Sequence, residues 1–135
     1  MPPTDVESAW PEHPGYSITA TPFDGTGTVT ANGVLLAESA GCLIVAETNH
    51  RNQVYVPPGD VRWDRLSATD HHTICPFKGR ASYWSVLDGG AELENVAWVY
   101  PDTFEEVAAI TGYVAFYADR VDIALAEDGP APRSG

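Results

Sequence analysis

The sequence predicts an all-β protein, a single small antiparallel β-domain with one or two short helical turns. Three observations lead there. Apolar residues recur with period two in short runs bounded by Gly, Asn, Asp and Pro, the pattern of an antiparallel sheet. The pair Asn32-Gly33 separates Thr28-Val29-Thr30-Ala31 from Val34-Leu35-Leu36-Ala37, and Asn-Gly supplies the positive φ angles of a two-residue hairpin turn. At 135 residues the chain suits one domain, since compact domains hold about 100–150 residues and a second core would lack apolar area.

Beyond the hairpin, strands are expected over residues 42–47, 53–56, 72–76, 80–87, 95–100, 113–117 and 120–125, about eight or nine in all. Two segments carry helix-start signals. Asp60–Leu66 follows the break Pro57-Pro58-Gly59, and Asp102–Val107 begins with a capping Asp and carboxylates in its first turn. Each has room for one or two turns. No repeat of roughly 20–50 residues is visible, so propellers and solenoids are excluded and a closed or half-open β-structure remains. Proline-rich residues 1–15 read as an N-terminal arm, 16–126 as the domain, and 127–135 as a flexible tail.

With 44% hydrophobic and 19% charged residues the chain lies outside the disordered regime. A net charge of −12 repels phosphate backbones and anionic lipid, which excludes nucleic acid and membrane as partners. No run approaches the roughly 18 apolar residues of a membrane span, and Met1-Pro2-Pro3-Thr4-Asp5 lacks the basic and apolar regions of a signal peptide. A cytoplasmic location is expected. Cys42 and Cys75 form neither a disulfide framework nor a Cys-x-x-Cys metal clip, so both read as thiols.

Most of the reactive side chains fall between His71 and Trp84. A strand here places His71, Thr73 and Cys75 on one face and His72 and Ile74 on the other. Pro76 removes a ladder donor and Gly79 frees the backbone, so the strand should turn there and present Lys78, the only lysine, at its end. Zinc needs three or four ligands in tight geometry, whereas His71 and Cys75 stand roughly 13 Å apart at ~3.3 Å per strand residue. No metal or other cofactor is expected.

The run Thr73-x-Cys75-Pro76-x-Lys78-Gly79-x-Ala81-x-Tyr83 has companions elsewhere in the chain. They are Asn32-Gly33, Ala37, Glu47, Tyr55-x-Pro57, Asp60-Val61, Ala97-Trp98-x-Tyr100 and Gly112-Tyr113-Val114-Ala115-Phe116-Tyr117. Together, over residues 27–122, they resemble the bacterial and fungal family of unknown function numbered 427. That resemblance implies a β-tent fold akin to that of methionine sulfoxide reductase B, a nucleotidyltransferase-like label, and no established reaction. Nucleotidyl transfer requires a metal-binding carboxylate pair and a phosphate cradle, yet the chain has no Gly-Ser plus Asp-x-Asp pattern and few cations.

Glu47 ends the run Cys42-Leu43-Ile44-Val45-Ala46 and by alternation shares a face with Leu43 and Val45. An acid on an apolar face has a paired cation or a raised pKa, unless it simply ends a sheet in water. Cys75 before Pro76 is either a small buried hydrophobe or a thiol activated by Lys78. Strand aromatics are chiefly core, but Tyr55, Tyr83 and Trp98 are placed to wall a pocket around Glu47 and Lys78. The resulting expectation is a small-molecule-handling domain, an enzyme acting on a carbonyl- or carboxylate-bearing metabolite. Glu47 would be acid or base, Lys78 cation or amine nucleophile, and Tyr83 hydrogen-bond donor. Tyr55, Thr73, Cys75, Arg80, Trp98 and Tyr100 would contact the ligand. The alternatives are a non-catalytic ligand- or peptide-binding module and a purely structural motif; besides the ligand, a second copy of the chain is the partner left open.

Overall fold

A computed structural model describes residues 3–127. Ten strands form two antiparallel sheets: β1 Ile18–Pro22, β2 Gly25–Ala31, β3 Val34–Ser39, β4 Leu43–Glu47, β5 Gln53–Val56, β6 Leu66–Cys75, β7 Gly79–Val86, β8 Ala97–Val99, β9 Val114–Phe116 and β10 Asp122–Glu127. The larger sheet runs β1-β4-β5-β9-β8-β7-β6 and the smaller β10-β2-β3, and neither closes into a barrel. Among the described residues no helix is long and apolar enough to cross a membrane.

The hairpin forms where Asn32-Gly33 requires it. Both residues have positive φ, 51° and 79°, and Ala31 pairs with Val34 across the turn. The segments with helix-start signals form only 3₁₀ turns, at Pro58–Asp60, Trp63–Arg65 and Glu105–Ile110. Their caps make no side-chain hydrogen bonds, so nothing extends them. Two strands differ from expectation. β1 joins the sheet edge through a run ending at Pro22, and β6 starts six residues early, its polar segment tolerated at the opposite edge.

The larger sheet has two covered faces. One packs Val56, Ala97, Val99, Val114 and Phe116 against Val29, Leu36 and Ala37 of the smaller sheet. The other gathers Leu43, Val45, Tyr55, Ala81, Tyr83, Tyr100 and Ala115, with Val107 and Ile110 from the last 3₁₀ segment. Neighbouring residues fall on opposite faces, Tyr55 against Val56 and Ala115 against Phe116, as strand alternation requires.

Residues 9–16 cover the turn between β6 and β7. Ala9 N–H donates to the Pro76 carbonyl at 2.9 Å and Trp10 Nε1 to the Phe77 carbonyl at 2.8 Å. Tyr16 stacks on Phe77 with ring centroids 3.9 Å apart. The C-terminal tail expected over 127–135 lies outside the described residues apart from Glu127, which ends β10.

The turn depends on Gly79, whose φ is +135° and where an added Cβ would stand 2.7 Å from the Asp102 carbonyl oxygen. Gly79→Ala therefore strains the backbone and pushes on a neighbouring loop. The expected outcome is a loss of about 1–3 kcal/mol in urea unfolding, the usual cost of one residue forced into a disfavoured region.

Candidate functional site

The second face of the larger sheet opens into a cleft of about 710 Å³. Seven residues singled out from the sequence line it: Glu47, Tyr55, Cys75, Lys78, Tyr83, Trp98 and Tyr100. Strand parity explains their convergence. Glu47 follows Leu43 and Val45 on the inward face of β4, Tyr83 follows Ala81 on β7, and Cys75 pairs with Gly79 across the hairpin.

Lys78 and Glu47 form the centre. Lys78 Nζ donates to Glu47 Oε1 at 2.5 Å, with the two side chains only 10% and 11% exposed. The second carboxylate oxygen accepts from the Tyr16 hydroxyl and lies 3.7 Å from His50 Nε2. Lys78 Nζ also reaches Cys75 Sγ at 3.9 Å and lies 6.0 Å from the centre of the Tyr100 ring. One ammonium thus bridges a carboxylate and a thiol beside an aromatic face.

Four tyrosines of the cleft, Tyr16, Tyr55, Tyr100 and Tyr117, stay neutral well into alkaline pH. Burial, reinforced by the Glu47 hydrogen bond, raises the Tyr16 hydroxyl far above its ordinary value of 10.0. Burial does the same to Tyr55 and Tyr100. Tyr117 is pushed up to about 12, by burial first and then by its contact with Tyr83. The Tyr100 hydroxyl makes no hydrogen bond to any described residue, although Tyr100 is only 7% exposed.

Two candidate contacts lie elsewhere. Arg80 alternates with Ala81 and Tyr83 and so points away from the cleft, where its guanidinium binds Asp5 at 2.5 Å. Thr73 shares the correct face but stands behind Tyr83, its hydroxyl 2.9 Å from the tyrosine oxygen. His71 packs edge-on against Tyr83. Among the described residues no group of His, Cys, Asp and Glu is arranged to hold a metal ion.

Sequence reasoning passed over Tyr16, Phe77 and Tyr117, all of which line the cleft. Tyr117 belongs to a run of aromatics that reads as core, yet it is 39% exposed and approaches Tyr83 hydroxyl to hydroxyl at 3.5 Å. Tyr16 adjoins the proline-rich arm and carries no periodic signal.

A family model described as "Domain of unknown function (DUF427)", labelled NTP_transf_9, matches residues 19–127. The chain belongs to this family. The matched span holds every cleft residue named above except Tyr16. No curated protein matches the DUF427 chain.

Two outcomes follow for the DUF427 site. Removing one partner of a mostly buried ion pair strands the other charge, so Lys78→Met should cost about 3 kcal/mol in urea unfolding. The double variant Lys78→Met/Glu47→Leu, which strands nothing, should recover most of that loss. Alkaline pH gives the second outcome. The tyrosine pKa values are raised in the folded state, so their contribution to stability is whole below pH 10 and is lost as pH climbs through the folded values. Tyrosinate absorbance should lag in the native protein, and unfolding free energy should fall only above pH ~10.

Proposed function

We propose that the domain binds a small metabolite bearing a carbonyl or carboxylate oxygen in this cleft and performs acid–base chemistry on it. Lys78 supplies the cation that receives the oxygen, Glu47 moves the proton, and Tyr83 donates a hydrogen bond. Tyr55, Trp98 and Tyr100 wall the ligand. The carrying observation is the Lys78–Glu47 pair, held 2.5 Å apart and largely out of water at the wall of a cleft large enough for a metabolite. Withdrawing two ions from water costs several kcal/mol each, and their attraction seldom returns more than that. Lys78 donates to Glu47, so its first role is that of an ammonium rather than a free amine.

Two free thiols fit a reducing compartment, and we assign the domain to the cytoplasm on that basis.

The test is a screen of 2-oxo acids, aldehydes and simple carboxylates, read by Trp fluorescence and melting temperature. A true ligand at about 100 times its Kd stabilises the fold by about 2.7 kcal/mol. Both signals should vanish in Lys78→Met and weaken in Glu47→Gln, with the bound compound altered in its NMR spectrum on incubation. A bound but unchanged compound would assign the non-catalytic binding role, and no response to any compound of these classes would refute the reading.

A further inference from the structure

We propose that Cys75 is the nucleophile of the cleft, forming a reversible covalent adduct with the carbonyl carbon of the bound metabolite while Lys78 and Tyr100 receive the carbonyl oxygen. This rests on the reading of the cleft given above and goes further by naming the atom that reacts.

The two thiols of the chain have opposite surroundings. Cys42 is 1% exposed, lies in the apolar core between the sheets, and donates to the Ser39 carbonyl at 3.8 Å. Burial pushes its thiol up, away from the reactive thiolate. Cys75 is partly exposed, lines the cleft, and has Lys78 Nζ at 3.9 Å. A cation at that distance stabilises the negative charge on a sulfur that attacks. The hairpin fixes this geometry: Cys75 closes β6 opposite Gly79, and the intervening turn returns Lys78 N–H to the Cys75 carbonyl at 3.2 Å.

Tyr100 is the independent sign that a ligand oxygen belongs here. Tyr100 is 7% exposed and lines the same cleft, and its hydroxyl has no hydrogen-bond partner among the described residues. The ionisable groups around it include Tyr55, Cys75, Tyr83 and Glu47, with Lys78 Nζ 6.0 Å from the centre of its ring. Leaving a buried hydroxyl unsatisfied is unfavourable, and a carbonyl oxygen bound between Tyr100 and Lys78 removes that cost.

The step is balanced without a further reactant. The sulfur of Cys75 bonds to the carbonyl carbon, and the π electrons of the C=O bond move onto its oxygen. Lys78 gives that oxygen a proton and takes the proton of the thiol, so the ammonium is regenerated. The product is a thiohemiacetal from an aldehyde, or its ketone analogue, and reversal restores both partners. In this addition Glu47 moves no proton and holds the ammonium between the sulfur and the ligand; its proton transfer belongs to the acid–base step on the bound metabolite.

The experiment is alkylation of the full chain with iodoacetate and with iodoacetamide near neutral pH, the modified peptides being mapped by mass spectrometry. A chain of net charge −12 repels an anionic reagent, so a preference for iodoacetate reports a local cation and carboxylate site. Modification should be confined to Cys75, with iodoacetate faster by about tenfold, the equivalent of about 1.4 kcal/mol. Glyoxylate, which carries both an aldehyde and a carboxylate, should protect Cys75. Lys78→Met should abolish the preference and Tyr100→Phe should weaken the protection; the second variant keeps the ion pair and so serves if the first does not fold. Equal rates for the two reagents, matching those of free cysteine, would overturn the proposal. Glyoxylate labelled with ¹³C at the aldehyde separates the two readings. A tetrahedral signal lost in Cys75→Ala supports the adduct. Binding in both proteins without that signal overturns the nucleophile and leaves the cleft reading standing, and absence of binding by glyoxylate and by every compound of the screen above overturns both.

Discussion

The larger sheet is covered on both faces, and every feature of the site depends on that constraint. A strand sends alternate side chains to opposite sides, so each central strand must serve the closed core and the cleft together. β5 sends Val56 into the core and Tyr55 to the cleft; β9 sends Phe116 into the core and Ala115 to the opposite face. A slip of one residue would bury the cleft residues between the sheets and expose the core. The site therefore inherits its precision from the packing of Val29, Leu36 and Phe116 on the far side.

Against that rigid wall the ion pair is held from three directions. Glu47 ends β4, Lys78 sits in the β6–β7 turn, and Tyr16 enters from the segment before β1 to bind the free carboxylate oxygen. Each carboxylate oxygen has a donor, which is the condition under which a charge taken out of water is tolerated. The neutrality of Tyr16 matters here. Burial and the carboxylate both oppose its ionisation, so it stays a donor and never adds a second negative charge beside Glu47.

Much of this was legible because it obeys short-range rules. The Asn32-Gly33 hairpin, the inward face of Glu47 and the turn forced by Pro76 and Gly79 all follow from local backbone chemistry. Arg80 misled through proximity in the chain: it is two residues from Lys78, but parity with Ala81 and Tyr83 sends it to the other side, to Asp5. The division into two sheets follows from long-range pairing, β10 joining β2 across most of the chain, and no local pattern encodes it. Tyr16 was hidden for the same reason. Its value lies in reaching Glu47 and Phe77, and neither contact leaves a periodic trace.

The covering of the turn by residues 9–16 links stability to the site. Lys78 is carried on a tight turn, and turns are ordinarily the least restrained part of a hairpin. Here the carbonyls of Pro76 and Phe77 are bound by Ala9 and Trp10, the Lys78 carbonyl accepts from Phe104 N–H at 3.3 Å, and the Phe77 ring is stacked by Tyr16. Three successive residues of the turn are thus fixed by segments distant in sequence. A long flexible lysine placed against a carboxylate loses rotamer freedom worth about 2 kcal/mol, and a backbone already immobilised spares the site the further cost of ordering the turn. The segment around Trp10 and Tyr16 is therefore part of the site's scaffold: it holds Lys78 within reach of both Glu47 and Cys75 before any ligand arrives.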